Sequence, residues 1–271
     1  MPELPEVETV KNGLEPYILG KTIHTLILNR ENLRFPFDAK MHEWIEGHQC
    51  VSLRRRGKYI WMDMDNSKTL VVHLGMSGSF SINPTKTNKH DHVEFITDSG
   101  TRIVYNDPRR FGMMYFVDTG GEHAHPSFQS MGVEPLGNGF NADTLRDALK
   151  NKTTPIKVAL LDQSVVAGVG NIYACEALYL SGISPLKAAN TIKGNRLEQL
   201  VTSIKTVLMD AIESGGSTLR DHRKTDGTMG YFQHHFNVYG KEGEKCPLTG
   251  GLIKRITQAG RSTFYCPAKQ R

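Results

Sequence analysis

The chain has little cysteine and no long hydrophobic run. Its four cysteines, Cys50, Cys175, Cys246 and Cys266, are too few and too scattered among 271 residues for the disulfide framework of a small secreted protein. There is no stretch of about 18 apolar residues and no signal peptide, so we expect a cytoplasmic protein. With 38% hydrophobic and 23% charged residues, the chain can bury a substantial core, and two domains are the expected arrangement.

Negative charge is scarce at the C-terminal end. Residues 241–271 carry seven lysines and arginines against two glutamates, an excess of five that equals the net charge of the whole chain. Clustered positive charge favours a polyanionic partner such as nucleic acid. A basic tail that only improves solubility would have the same composition, so charge alone leaves both explanations open.

Hydrophobic patterning predicts an antiparallel β-sandwich in the first half of the chain. Val7, Val10, Leu14 and Ile18 recur at helical spacing and predict an amphipathic helix over residues 5–18. β-Branched and aromatic runs separated by Gly, Asn and Asp turns then predict seven strands. These strands are residues 22–28, 50–54, 59–64, 69–74, 93–97, 102–105 and 113–117.

The second half changes to helical spacing after the Gly-, Pro- and Asn-rich stretch 131–139. Helices are predicted at 144–150, 155–161, 172–180 and 195–213, and a β-hairpin of residues 251–256 and 262–266 ends the chain. The polar, glycine-rich segment 216–236 is too long for a plain connection. We therefore predict an α+β chain with a sandwich domain over 1–132, a helical domain over 133–236 and a finger-like hairpin over 237–271.

The first residues contain a candidate nucleophile. If Met1 is removed, Pro2 presents a free secondary amine beside the carboxylate of Glu3. An α-amino group titrates at about 7.7–8.0, so part of it is unprotonated at neutral pH and can attack a carbonyl-like carbon to give a Schiff base. Proline followed by glutamate also begins many ordinary helices, so the pattern has a purely structural explanation as well.

Four internal motifs combine charge, histidine or glycine with turns. Residues 54–59 place four cations before a strand, 90–92 read His-Asp-His, and 107–112 form a turn with two arginines and a phenylalanine. Residues 165–173 bring a glycine-rich turn to a helix N-terminus, where free N–H groups can bind phosphate. Each motif alone also fits a solvated surface run or a tight turn, and 90–92 lacks the further spaced ligands of a metal site.

Together, these motifs closely resemble the formamidopyrimidine-DNA glycosylase family, bacterial enzymes that remove oxidised purines from DNA. The resemblance runs through residues 2–9, 58–59, 73–78, 89–92, 107–112, 168–173 and the final hairpin. It implies a β-sandwich with flanking helices, joined to a helix-two-turn-helix domain with a C-terminal zinc finger. It also implies a monomeric enzyme with DNA glycosylase and abasic-site lyase activities. The expected partner is double-stranded DNA with oxidised purines or abasic sites, at the bacterial nucleoid.

The resemblance assigns roles to individual residues. It makes Pro2 the nucleophile, Glu3 its acid/base partner and Lys58 a cation that assists elimination. Arg261 matches a phosphate-binding arginine that also serves the last elimination step. DNA contacts are implied for Met76, His90, Arg109, Phe111, Lys152, Lys157, Asn171 and Tyr239.

Within that set, Met76, Arg109 and Phe111 match a wedge that fills the duplex after a base leaves it. Extruding a nucleotide costs a few kcal/mol, and inserted apolar and cationic side chains offset that cost. The segment 215–230 resembles the loop that closes over the extruded lesion.

Two other functions use most of the same residues. The related endonuclease VIII group shares the mechanism but prefers oxidised pyrimidines, and by resemblance Leu4 and the wedge residues favour purines. A damaged-DNA-binding protein without catalysis would keep every DNA contact, and only Pro2, Glu3 and Lys58 argue against it. A retained Met1 would turn the Pro2 nitrogen into an amide without nucleophilicity.

The C-terminal finger departs from the family pattern of two Cys-x-x-Cys pairs that bind zinc. Here the first pair reads Cys246 and Thr249, and the second reads Cys266 and Lys269. Structural zinc is held by four thiolate or imidazole ligands in a closed tetrahedron. Because two of the four cysteines are replaced, we expect no zinc and no other cofactor.

Two other ways of stabilising the C-terminal hairpin remain open, a metal site with different ligands and a disulfide. His234 and His235 could complete a metal site, although they lie well before the hairpin and lack zinc-like spacing. A disulfide between Cys246 and Cys266 is disfavoured in a reducing cytoplasm. We expect instead that the hairpin is held by packing, with Arg261 at its tip. The side chains expected to pack are Leu252, Ile253, Ile256, Phe264 and Tyr265.

Overall fold

The computed structural model describes residues 1–217 and 232–271, which divide into two compact units. The first unit comprises residues 1–129 with 214–217, and the second comprises residues 130–213 with 232–271. Antiparallel sheets and helices are both present, so the predicted α+β class is confirmed. The three-part division at 132 and 236 stays a prediction, and the predicted loop over 215–230 lies mostly outside the described residues.

The first unit begins with helix α1 (Leu4–Ile18), whose N-cap is Glu3. Pro5 lies in its first turn, where a missing N–H costs no hydrogen bond. Val7, Val10 and Leu14 are at most 1% exposed and join the main hydrophobic core. The amphipathic spacing read from the sequence therefore packs α1 on the strands, with the N-terminus fixed at its start.

Eight strands of this unit form two four-stranded antiparallel sheets. The elements that follow α1 are β1 (Ile23–Leu28), α2 (Met41–Ile45), β2 (Cys50–Arg56), β3 (Tyr59–Met64), β4 (Lys68–His73), β5 (Ser79–Ile82), β6 (Asp91–Thr97), β7 (Arg102–Asn106), β8 (Met113–Asp118) and α3 (Pro126–Gln129). One sheet has the order β1-β6-β7-β5 and the other β2-β3-β4-β8. One buried cluster contains side chains of both sheets, as the predicted sandwich requires.

Three connections pass from one sheet to the other, β1 to β2, β4 to β5 and β7 to β8, and the last two are called here the first and second crossings. The chain leaves β4 in the second sheet and enters β5 in the first, and it returns from β7 in the first sheet to β8 in the second. Residues 74–78 form the first crossing and 107–112 the second. Both crossings carry residues singled out in the sequence.

The second unit is helical and ends in a hairpin. Its elements are α4 (Ala142–Leu149), α5 (Ile156–Leu161), α6 (Asn171–Leu180), α7 (Asn195–Glu213), β9 (Lys254–Gln258) and β10 (Arg261–Tyr265). α6 is buried over most of its length and contacts α5, α7 and β10, which makes it the central helix of the unit. Among the described residues, no helix combines the length and the apolar character needed to cross a membrane.

Candidate active site and nucleic-acid interface

The N-terminal residues are buried and held by hydrogen bonds. Pro2 is buried and Glu3 is 3% exposed. The backbone N–H of Glu3 donates to Oε2 of Glu6 at 2.9 Å, and Val7 N–H donates to the Glu3 carbonyl at 3.1 Å. Because Glu3 caps α1, the proposed nucleophile and its carboxylate partner lie at the end of a rigid helix.

Glu6 is a site residue that the sequence reasoning missed. Its side chain is 2% exposed, and its Oε1 accepts from the backbone N–H and the hydroxyl of Ser217 at 2.9 and 2.8 Å. The Glu6 carboxylate therefore accepts hydrogen bonds from both Glu3 and Ser217, and Ser217 ends the first described range, 1–217. Glu6 and Ser217 are 211 residues apart in the sequence, and no local pattern signals such a pairing.

Lys58 lies in the two-residue turn that joins β2 to β3, where Arg56 pairs with Tyr59. The preceding Gly57 has φ +58°, as the first position of such a hairpin turn requires. Lys58 is 7% exposed. Arg55 donates to Glu8 on α1 at 2.6 Å and to the Gly57 carbonyl at 3.0 Å, so it ties this turn to the N-terminal helix.

A neutral histidine lies close to Lys58. His73 ends β4, and its Nδ1 accepts a hydrogen bond from the backbone N–H of Gly75 at 3.1 Å. Burial, assisted by the charges of Lys58 and Arg34, lowers the pKa of His73 from 6.5 to about 4. At neutral pH this ring therefore adds no second positive charge beside Lys58.

The three predicted wedge residues lie on the first and second crossings. Met76 lies on 74–78 and is 37% exposed, whereas Phe111 lies on 107–112 and is 45% exposed. Arg109 is also exposed, with its guanidinium carbon 5.2 Å from the centroid of the Phe111 ring. Large exposed apolar side chains beside a cation suit insertion into a base stack.

The two histidines of residues 90–92 have different positions. His92 is 3% exposed, and its Nε2 lies 2.9 Å from the carbonyl oxygen of Asp107. His90 is partly exposed, and its ring centroid lies 6.2 Å from that of His92. His92 thus supports the second crossing, while His90 remains accessible for the predicted DNA contact.

In the second unit, Asn171 connects the start of α6 to the finger. Its side-chain nitrogen donates to the Ser262 carbonyl at 2.9 Å and to the Tyr239 hydroxyl at 3.4 Å. Arg261 is exposed at the start of β10, after Ala259 and Gly260 turn the hairpin with φ +46° and +72°. The structure therefore brings Asn171 and Tyr239 together and presents Arg261 at the tip of the neighbouring hairpin.

Glu176 is a second residue that the sequence reasoning missed. It is 1% exposed on α6, and its two carboxylate oxygens accept four hydrogen bonds of 2.8–3.0 Å from residues 237–239. The donors are the backbone N–H groups of Asn237, Val238 and Tyr239 and the side-chain amide of Asn237. Glu176 therefore fixes the backbone at Tyr239 relative to the helix that carries Asn171.

The two lysines predicted to contact DNA in this unit differ in exposure. Lys157 is 0% exposed in this structure, and its predicted DNA contact stays a prediction. Lys152 donates to Asp162 at 2.7 Å. Although burial favours the neutral acid, hydrogen bonds from Lys152 and Ser164 lower the pKa of Asp162 from 3.8 to about 2. A phosphate would have to compete with Asp162 for the ammonium group of Lys152.

The finger residues at the family's zinc positions do not form a metal site. The hydroxyl oxygen of Thr249 lies 3.4 Å from the Cys266 sulfur, and that of Tyr179 lies 3.2 Å from the Cys246 sulfur. Lys269 donates to the carbonyl oxygens of Tyr179 and Leu180 at 2.7 and 3.3 Å, where α6 ends. In residues 1–217 and 232–271 no three His, Cys, Asp or Glu side chains are grouped to hold a metal ion. The donor set present does not fit zinc.

The hairpin packs partly as predicted. Ile253 is 2% and Tyr265 8% exposed, and Phe264 packs on the same cluster. The expectation for Leu252 is wrong, because its side chain is 57% exposed. The buried thiols Cys246 and Cys266 fill the cluster beside Ile253 instead.

Comparison with known proteins decides the family. A family model described as "Formamidopyrimidine-DNA glycosylase N-terminal domain" matches residues 1–114, and one described as "Formamidopyrimidine-DNA glycosylase H2TH domain" matches residues 131–223. The chain is 50% identical, over an alignment of 288 positions that covers the full length of both chains, to the formamidopyrimidine-DNA glycosylase of Beijerinckia indica. The chain belongs to the formamidopyrimidine-DNA glycosylase family.

Solved structures of this family share the fold. The MutM (Fpg) protein of Thermus thermophilus is 37% identical, with a TM-score of 0.89 over 99% of this chain and 98% of that one. A Lactococcus lactis FPG variant, solved in complex with DNA containing Fapy-dG, is 33% identical, with a TM-score of 0.92 over the full length of both chains. The predicted family, with its β-sandwich and helix-two-turn-helix domains, is thereby confirmed.

Proposed function

We propose that Pro2 is the nucleophile with which this base-excision repair glycosylase removes oxidised purines from double-stranded DNA. The proposal rests on one observation above all: Pro2 and Glu3 are buried at the start of α1, where Glu6 holds the backbone of Glu3 at 2.9 Å. The full-length relationship to named DNA glycosylases supports it. The substrates are oxidised purines, chiefly 8-oxoguanine and formamidopyrimidines.

The proposed chemistry starts once Met1 has been removed. The Pro2 nitrogen attacks C1′ of the damaged nucleotide, and the bond to the base breaks. The C1′–O4′ bond then breaks, which opens the sugar ring and leaves an iminium between C1′ and the Pro2 nitrogen, while Glu3 exchanges protons with O4′ and the departing base. The resulting iminium then loses a proton from C2′, which breaks the 3′ carbon–oxygen bond, and a second elimination breaks the 5′ bond. Lys58 assists elimination beside the neutral His73, and Arg261 holds a backbone phosphate and serves the last step.

Trapping the covalent intermediate tests this mechanism. Borohydride reduces an iminium to a stable amine, so protein without Met1 should become cross-linked to a duplex that contains 8-oxoguanine opposite cytosine. Glu3→Gln should bind the duplex but give little adduct, whereas Glu15→Gln, a change near the other end of α1, should trap normally. Absence of an adduct from protein whose intact mass confirms the loss of Met1 would falsify the Schiff-base mechanism.

The purine preference has its own test. Excision of 8-oxoguanine opposite cytosine should be faster than excision of thymine glycol under single-turnover conditions. Faster removal of the pyrimidine would favour an endonuclease VIII-like specificity. Binding of both duplexes without cleavage, by protein without Met1, would favour a damage-binding function instead.

For DNA contact we propose two sets of residues, one on each unit. In the first unit Met76, Arg109 and Phe111 form the wedge, and His90 contacts the backbone. In the second unit Asn171, Tyr239 and Arg261 contact the strand near the lesion. Their support is the exposure of the wedge residues and of Arg261, and the hydrogen bond between the Asn171 and Tyr239 side chains.

We also propose a finger that folds without zinc. Lys269 supplies a cation to the carbonyl end of α6, a favourable position for positive charge, while both remaining thiols are buried. Elemental analysis should find essentially no zinc, and chelators should leave base excision unchanged. About one zinc per chain, with activity lost when it is removed, would show that other ligands complete the site.

A cytoplasmic location at the bacterial nucleoid is the last part of the proposal. Its support is the need for chromosomal DNA as substrate and the bacterial origin of the relatives.

A further inference from the structure

The first and second crossings touch each other through their backbones. Gly75 has φ +66°, and a Cβ added there would lie 2.4 Å from the carbonyl carbon of Phe111. A Cβ on Gly112 would lie 1.8 Å from the hydroxyl of Tyr105. No side chain fits between the two crossings at these glycines, so the backbone next to Met76 lies directly against the backbone of Phe111.

A buried carboxylate organises this contact. Asp107 is 0% exposed, and its Oδ2 accepts from the backbone N–H of Gly112 at 2.8 Å and from the Tyr105 hydroxyl at 3.4 Å. Burial, together with the neighbouring Asp107, raises the pKa of Tyr105 well above 10, so the hydroxyl keeps the proton it donates. The hydrogen bond between Asp107 and Gly112 therefore joins the two ends of the second crossing.

The other oxygen of Asp107 reaches the first crossing. Oδ1 accepts from the hydroxyl of Ser77 at 2.6 Å, and the Ser77 oxygen in turn accepts from the backbone N–H of Arg109 at 3.1 Å. Ser77 is 8% exposed and is the neighbour of Met76. The chain of hydrogen bonds from Gly112 through Asp107 and Ser77 to Arg109 thus includes Arg109 itself and the sequence neighbours of Met76 and Phe111.

We propose that Asp107 is the positioning residue of the wedge, acting through Ser77 to set Met76, Arg109 and Phe111 as one unit. The inference rests on the proposed wedge function and deepens it. None of the three wedge side chains is held by a hydrogen bond of its own in the described contacts, so their directions follow from the backbone that Asp107 and Ser77 fix. A shift of about 1 Å in such a unit can slow a reaction by roughly a hundredfold, because the inserted groups no longer match the gap in the stack.

Replacing Asp107 in two ways separates positioning from chemistry. Asp107→Ala removes both acceptors. Asp107→Asn keeps an oxygen for Gly112, and its amide group can donate to Ser77, so the network can be rebuilt with one hydrogen bond reversed. Ser77→Ala cuts only the link between the crossings. We expect Asp107→Ala and Ser77→Ala to slow excision of 8-oxoguanine paired with cytosine at least tenfold, and Asp107→Asn to recover most of that loss.

The decisive measurement is the ratio of two rates, excision of the paired lesion and cleavage at a preformed abasic site. A purely structural role of Asp107 would leave this ratio unchanged. Strand cleavage at a preformed abasic site requires no base to be extruded from a pair, so the same variants should stay within about threefold of wild type there. A 2-aminopurine placed beside the lesion should show slower unstacking in Asp107→Ala by stopped-flow fluorescence. The matched control is Thr69→Ala. This change removes a buried hydroxyl on β4 that donates to the Asp63 carboxylate on β3 at 2.7 Å. It should lower the melting temperature and leave the ratio of the two rates unchanged.

The outcomes distinguish this inference from the function on which it rests. If wild-type protein neither excises the base nor cleaves the abasic site, the proposed function fails. If wild type is active and Phe111→Ala slows both substrates equally, the wedge assignment fails. If Phe111→Ala is selective for the paired lesion but Asp107→Ala and Ser77→Ala slow both substrates alike, Asp107 only stabilises the fold and the inference is wrong.

Discussion

Replacing His73 should remove a specific part of the pH dependence of stability. The folded protein lowers the pKa of His73 from 6.5 to about 4, mainly through burial, with the charges of Lys58 and Arg34 contributing. Between these two values the unfolded chain binds a proton at this position and the folded chain does not. Stability from this group is therefore fully present above pH 6.5 and is lost as the pH falls towards about 4.

The size of the effect follows from the same two values. A difference of about 2.5 pKa units corresponds to ~3 kcal/mol, which is a large share of the stability of an ordinary domain. His73→Asn retains an acceptor for the Gly75 N–H but does not titrate. The loss of unfolding free energy on going from neutral pH to about pH 4.5 should therefore be smaller in this variant by roughly 2–3 kcal/mol.

Urea unfolding followed by tryptophan fluorescence measures this difference. The chain's two tryptophans, Trp44 and Trp61, both lie in the first unit with His73, so the signal reports that unit. His24→Asn, at an exposed position on β1, serves as the matched control and should keep the wild-type slope. If His73→Asn lost as much stability between these pH values as wild type, the reasoning from burial would be refuted.

Three further changes test the site. Gly75→Ala should destabilise the fold by about 1–3 kcal/mol, because φ +66° and the carbonyl carbon of Phe111 leave no room for a methyl group; an unchanged melting temperature would contradict this. Glu176→Gln should cost roughly 2–4 kcal/mol by calorimetry, since an amide cannot accept all four buried hydrogen bonds, and a neutral result would mean that the backbone at 237–239 has other support. Arg261→Ala should weaken binding to any duplex and reduce the slope of log affinity against log salt by about one, and an unchanged slope would exclude its phosphate contact.

The elements of regular structure were largely predictable because local residue patterns determine them. β-Branched runs predicted seven of the eight sandwich strands, and the spacing of Leu197, Leu200 and Ile204 predicted α7 to its observed ends. The strand β5 (Ser79–Ile82) was missed, since four residues after a glycine turn give too short an alternation. The helices α2 and α3 were missed because five and four residues are too short to show a helical spacing of apolar side chains.

Much of the site depends on contacts between distant residues, which local patterns do not encode. The sequence places Pro2 and Glu3 at a helix start, but it cannot show that Glu6 also binds Ser217, 211 residues away. Glu176 reads as an ordinary helical glutamate, although in the fold its carboxylate holds residues 237–239. Lys157, near the start of α5, is fully buried in the fold, and no local pattern signals this burial.

The position of the proposed wedge residues on the first and second crossings also has a consequence for folding. The hydrogen bond between Ser77 and Asp107 joins residues 30 apart and can form only when β4, β5, β7 and β8 have taken their places in both sheets. Such a non-local contact forms late in folding, because the conformational entropy of the chain between the two residues must be lost first. If the proposed wedge assignment holds, a partly folded chain has no ordered wedge with which to open a duplex, and only molecules that have completed the sandwich acquire that capacity.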